Sequence, residues 1–582
     1  MSKKKIFLTF LVVVFAAVLM FAPAPVQAYQ IYPNPNPPIG DIEVTASDAE
    51  NNMGFENGAW FFNWGTLNIQ SSGTLNNSGR LANYGTLNNS GTLTNSGTVP
   101  NSGLVNKGTL NNYGTLNNGN LSNEGTLDNY ATLTIQYGGE LINYWKLYNS
   151  SSGTLTNAGI LNNTGLYLIN DGTLNNGIEN GGGWLSNRGV LENNGTLNNQ
   201  YSSTLVNYER LNNFGTLTNY SGTLTNNSGG TLANWDTLTN QGLLDNYGKL
   251  INNGTLTNNS GGTLTSYGAL DNYGTLNNRV ARLNNWGTLD NYFLLRNSNT
   301  AMLYNYGTLN NDGMLWNDTS QSYLINTYGG KLNNYGSLNN GFDARLYNSG
   351  ELNNLGTLTN WSGNLGNDGT LNNSGTLNNY KNIYNTGTVN NSGNLWNFDK
   401  LDNPGTLNNS GTLTNLGTLT NQWGGTLTNN SGGTLNNSGT LTNQWVATLT
   451  NQYGGTLNNS GTLTNNSGGT LDNNGTLNNS GTLTNNSGGT LDNNGTLNNS
   501  GTLTNDGILT GTLTGTYIQS AGQTINNGSM SQITIIIDGG NLSGSGNLSA
   551  VDEYIGFYGT GTLKQTGGNT YGFKWPPPWY LF

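Results

Sequence analysis

GTLTNNSGGTLDNNGTLNNS runs from Gly461 to Ser480 and recurs without a change from Gly481 to Ser500. It divides into three units, each opening Gly-Thr-Leu. In an extended chain, Leu and the Asn two positions later lie on one side, while Thr and the residue after Leu face the other. One Leu in about six residues makes no helical stripe, and Gly, Asn and Thr are poor helix formers. Short strands broken by turns remain, and a short unit repeated this strictly marks a solenoid. Three units close one coil and place Leu above Leu. The predicted fold is all-β: a three-sided parallel β-helix, or β-solenoid, of about 18–20 residues per coil with atypical terminal caps.

The same unit continues with variations from Trp64 to Asp506. About two dozen coils at ~4.8 Å each would make a rod on the order of 110 Å. Burial of three Leu per coil does not by itself offset the cost of ordering the chain, so stacked Asn amides must add to it by satisfying backbone groups at the bends. The bends read Asn-Ser-Gly, Asn-Asn-Gly and Asn-Tyr-Gly, types that accept left-handed backbone angles, and such angles are expected there. Unit length varies over 131–183 and 292–330, where loops are expected to leave the coils.

Five segments follow: a signal peptide at 1–28, a linker and N-terminal cap at 29–63, the solenoid at 64–506, divergent C-terminal coils at 507–565 and a Pro/aromatic tail at 566–582. Lys3, Lys4 and Lys5 precede an apolar run from Ile6 to Ala22, and small residues end the segment at Ala28. This is a secretory signal, so the mature chain is expected outside the cytoplasm or on the cell surface, with no membrane span. The stretch Ile533 to Ile537 reads as a strand, whereas Pro576, Pro577 and Pro578 cannot continue a sheet.

Of 582 residues, 86 are Gly and none is Cys or His. Thiolate chemistry, disulfides, His-dependent triads and the usual zinc sites are thereby excluded. A formal charge of -11 argues against nucleic acid as a partner. Asp128, Asp245, Asp271, Asp472 and Asp492 all follow Leu, scattered along the chain rather than paired as a polysaccharide-cleaving β-helix would require. Calcium held by Asp41 to Glu56 is a further reading, set against a solvated acidic cap. No catalytic, metal or cofactor-binding residue is assigned. A disordered Asn-rich chain is the competing description, and the strict Leu register argues against it.

The Gly-Thr-Leu-Asn-Asn-Ser-Gly-Thr-Leu-Thr-Asn units, with the segment Gly539 to Gly546, resemble the passenger regions of bacterial autotransporters and the repeats of filamentous-haemagglutinin-type exoproteins. That resemblance implies a three-sided parallel β-helix displayed at the cell surface in adhesion, with surface glycans or other cell-surface or matrix components as partners. It carries over no individual functional residue.

Two outward surfaces are candidates for binding. Aromatic residues occupy the slot between Asn and Gly at Tyr84, Tyr113, Tyr247, Tyr273, Trp286, Tyr306 and Tyr335, where they could meet the faces of sugar rings or simply stack and stiffen a corner. Thr462 and Thr464 lie above Thr482 and Thr484 in a flat array with spacings similar to those of threonine-lined ice-binding solenoids, though Thr is also a good strand residue. The expected function is a non-enzymatic structural adhesin, with glycan or ice binding as the alternative and a polysaccharide-processing enzyme as a remote one.

Overall fold

The computed structural model describes residues 42–44, 60–77, 79–96, 103–178, 181–319, 321–511, 514–556 and 559–571. The expected signal peptide, the acidic cap with its calcium reading apart from the strand Ile42–Val44, and the Pro-rich end of the tail lie outside the described residues. No helix forms among the described residues; strands account for 63% of the structure and wind into a parallel β-solenoid of about 24 turns. The chain divides into two units, Met1–Leu283 and Asn284–Phe582.

In the N-terminal unit most strands are four residues long, and most pair in parallel with the strand three places further on. Thr86–Asn89 lies in register with Thr109–Asn112, so that Leu87 meets Leu110 and Asn89 meets Asn112. An offset of three strands means three sides. Coil length varies from 17 residues between Asn106 and Asn123 to 24 between Asn163 and Asn187. Extra residues leave the coil where loops were expected: past Asn176 the chain makes an excursion closed by an antiparallel bridge between Ile178 and Gly181.

The C-terminal unit repeats this plan. The duplicated block stacks on itself, with Thr462 to Asn465, Thr470 to Asn473 and Thr476 to Asn479 each facing the residue 20 positions later. Between 292 and 330 the extra residues stay in tight turns, with positive φ at Asn299, Thr300 and Thr319. The strand expected at Ile533 to Ile537 forms as part of Ser529–Ile537.

In both units Leu and Asn share the interior. Leu87, Leu110, Leu463, Leu471 and Leu477 are buried, and so are Asn89, Asn112, Asn465, Asn473 and Asn479. A one-residue slip would turn every Leu to water, which pins the register. The buried amides form ladders on all three sides, interrupted at positions such as Ile135 and Ser266. Asn451 donates to Asn473 at 2.7 Å, Asn473 donates to Asn493 at 2.7 Å, and Asn473 also donates to the Thr496 carbonyl at 3.0 Å across the corner. Each amide therefore links two coils and also holds the bend. Where the pattern breaks, a buried acceptor is orphaned: Ile69 stands in register with Asn89, and the Asn89 Oδ1 has no partner. At the far end, Asn493 donates to Gln532 at 2.8 Å and Asn499 to Gln519 at 3.2 Å, so longer amides close two ladders.

The expected left-handed bends require correction. The glycine that opens the ordinary unit, such as Gly461 or Gly481, does not have positive φ. It is required because a Cβ on Gly461 would run into the Gly439 carbonyl oxygen one coil earlier. Left-handed geometry belongs to the longer units, where Gly432, Gly468 and Gly488 have φ of 79°, 73° and 81°. The first group of glycines is set by contact between coils and the second by local backbone shape.

Candidate ligand-binding surfaces

The aromatic residues do not form one row. In the N-terminal unit Tyr84 and Tyr247 follow the side that carries Arg80–Asn83 and Leu243–Asn246, whereas Tyr113 and Tyr273 follow the next side, that of Thr109–Asn112 and Ala269–Asn272. In the C-terminal unit Trp286 and Tyr306 share one corner, and Tyr335 follows Lys331–Asn334 on another. Most of them stack on the ring one coil away. Tyr84 lies on Trp64 at 4.2 Å, Tyr113 on Tyr130 at 4.7 Å, Tyr247 on Tyr267 at 4.8 Å and Trp286 on Tyr306 at 3.9 Å, all nearly parallel. The Lys107 ammonium adds a cation–π contact to Tyr84 at 5.6 Å. These stacks brace the corners, and rings such as Tyr113, Tyr247 and Trp286 remain about half exposed. Tyr273 and Tyr335 are also exposed.

Two tyrosines, Tyr247 at a corner and Tyr148 on an outward strand face, have raised pKa values. Burial, with Asp245 and Tyr267 nearby, raises the Tyr247 pKa, and the hydrogen bond to Asp171 pushes Tyr148 up to about 12. Both therefore stay neutral donors.

The threonine array is more extensive than the duplicated block suggested. Thr462 and Thr464 face Thr482 and Thr484, which face Thr502 and Thr504. On the other side they face Thr440 and Thr442, and these face Thr418 and Thr420. Two columns of Thr thus cross five strands. The array ends at Lys400 and Asp402, which form an ion pair at 2.7 Å, and at Gln523 and Ile525.

Apart from the buried Glu553, the carboxylates lie on outward faces or in turns. Asp128 pairs with Lys146 at 3.6 Å and Asp271 with Lys249 at 2.9 Å. Asp472 lies opposite Asp492, and burial followed by that neighbour raises its pKa. Among the described residues, no three acidic side chains come together as metal ligands.

Four strongly exposed rings were not among the sequence candidates. Tyr328 is 93% exposed, Tyr453 85%, Trp423 67% and Trp445 58%. They sit one residue further from Asn, inside the longer turns, as in Asn-Gln-Trp-Gly-Gly at 421–425 and Asn-Gln-Tyr-Gly-Gly at 451–455. The Gln or Thr between Asn and the aromatic was the available signal.

Fold and surfaces together define a three-sided parallel β-solenoid whose outward faces repeat Thr, Asn and aromatic residues. Residues 215–274 match the Haemagglutinin repeat family, so the expected resemblance to haemagglutinin-type repeats holds over that segment. Among solved structures, the chain is similar to a TibC-catalysed hyper-glycosylated fragment of TibA, at 14% identity over 74% of this chain and 96% of that one, with a TM-score of 0.12. No curated protein sequence matches the chain.

Proposed function

We propose that this chain is a secreted or cell-surface adhesin-like scaffold without catalytic activity, whose partners are surface glycans or other matrix components. The observation that carries the reading is the haemagglutinin-repeat match at 215–274 inside a solenoid with buried Leu and Asn columns. The apolar signal-like segment Ile6 to Ala22 supports export, and the dispersal of carboxylates supports a binding role over glycan cleavage. In this reading the buried ladders hold the scaffold and the outward side chains do the binding. Cell fractionation should find the protein in the medium or on the surface, and a deletion strain should lose attachment; retention of full attachment would sink the proposal.

One observation favours a second reading. Two columns of Thr over five strands form a flat, regular hydroxyl surface of the kind an ice lattice could meet. Thermal hysteresis that disappears when Thr464 and Thr484 become Leu would establish it.

A further inference from the structure

Between Asp402 and Asp472 the sequence contains no charged residue. That stretch also carries three of the most exposed rings in the C-terminal unit: Trp423, Trp445 and Tyr453. Their arrangement around one side is specific. The strands Thr426–Asn429 and Thr448–Asn451 pair in register, presenting Thr426 and Thr428 beside Thr448 and Thr450. Trp423 and Trp445 lie in the turns that enter these two strands, and Tyr453 lies in the turn that leaves the second. A four-residue strand spans about 13 Å, so a short hydroxyl-bearing floor has aromatic residues at both edges.

The edges are held in place. The two indoles stack at 5.8 Å with 18° between their planes. Gly424, Val446 and Gly454 hold their turns left-handed at φ of 75°, 61° and 77°. Val446 does so despite its branched side chain, a strained conformation of the kind retained where a site requires it. Its N–H donates to the Gly468 carbonyl at 3.0 Å, and a Cβ at Gly468 would strike the Trp445 ring, so the next coil provides the space that ring occupies. Most side chains exposed here are aromatic or hydroxyl-bearing, and large exposed rings without a cover mark a binding surface.

We infer that this side of the C-terminal unit binds a neutral polysaccharide, with Trp423, Trp445 and Tyr453 against the apolar faces of its sugar rings and the four threonines beneath its hydroxyls. The inference rests on the adhesin-like reading and names a ligand class for it. The absence of Lys and Arg leaves nothing to offset the desolvation of a uronate or sulfate, which selects against charged glycans. Aromatic platforms bind with little ordering cost because each ring has few rotatable bonds.

Affinity electrophoresis of the full chain should show retardation by hydroxyethylcellulose or galactomannan and none by alginate. The triple change W423A/W445A/Y453A should weaken retardation at least tenfold, with its circular dichroism spectrum and unfolding midpoint near those of the unchanged chain. Restoring rings with W423F/W445F should recover most of it, whereas Y201A in the N-terminal unit should leave it intact. Equal retardation by alginate, no retardation by either neutral polymer, or full binding by the triple variant would each overturn the inference. If deletion abolishes cell attachment while the triple variant restores it fully, the inference fails and the adhesin-like reading stands; if deletion costs no attachment, it is that reading that fails.

Discussion

Replacing Asn473 with Ala tests whether buried amides, as well as leucines, hold the coils together. The side chain is fully buried, accepts from Asn451 and donates to both Asn493 and the Thr496 carbonyl. Truncation leaves the Asn493 Oδ1 and the Thr496 carbonyl short of a donor, while the Asn451 amide retains the Thr476 carbonyl at 3.0 Å. At about 1–3 kcal/mol for each orphaned buried group, with a small cavity added, the expected loss is about 3–6 kcal/mol. Asn478 supplies the control: it belongs to an outward ladder, donating to Asn458 at 2.8 Å and accepting from Asn498 at 2.8 Å, where water can replace either partner. Asn478→Ala should cost less than about 1 kcal/mol. Denaturant unfolding gives the global cost, and hydrogen exchange of the peptides between 448 and 505 shows whether protection is lost locally, as expected of a stack coupled through nearest neighbours. Asn473→Leu refills the volume without the hydrogen bonds and should remain destabilising. Equal costs for Asn473→Ala and Asn478→Ala, or a stable Asn473→Leu variant, would refute the reasoning.

The two classes of glycine should respond differently. Gly461→Ala forces a methyl group onto the Gly439 carbonyl and should disrupt local pairing, lowering the unfolding midpoint sharply, whereas Gly432→Ala meets open space and pays only for its left-handed φ, about 1 kcal/mol. Relieving strain at Val446 with Gly should raise the midpoint slightly, a gain of up to about 1 kcal/mol once glycine's extra unfolded-state freedom is subtracted; no change or a loss would argue against strain there. Glu553 occupies an inward position opposite Ile535, buried with neither oxygen partnered, and burial raises its pKa from 4.5 to about 7. Because the folded pKa lies above the unfolded one, the C-terminal coils are most stable below pH 4.5 and lose that stability as pH rises to about 7. Glu553→Gln should flatten this dependence in a pH series of thermal melts, and an unchanged slope would count against it.

The interior was legible because strand geometry is a parity rule: once Leu and Asn were seen two residues apart, both had to face inward wherever Leu did. The corner glycines were misread for a physical reason. Local preference suggests left-handed turns at any Asn-Gly pair, but at Gly461 the deciding contact is a carbonyl 22 positions earlier in the chain, at Gly439, which local propensity does not register. The grouping of the aromatic residues was hidden from the sequence for a related reason. Coil length ranges from 17 to 24 residues, so rings that look equivalent in sequence, such as Tyr84 and Tyr113, fall on different corners. Trp423 and Tyr453 sit a single residue out of the pattern that defined the candidates, and that one residue places them in the longer turns.

The amino-acid sequence by itself determined the strand, the parity and the three-unit coil, because each follows from spacing within one twenty-residue block. Only the tertiary structure decided which units share a side, which way the amide ladders donate, and which rings stack on one another. Those outcomes depend on residues brought together about 20 positions apart, where the accumulated length of every intervening turn sets the alignment.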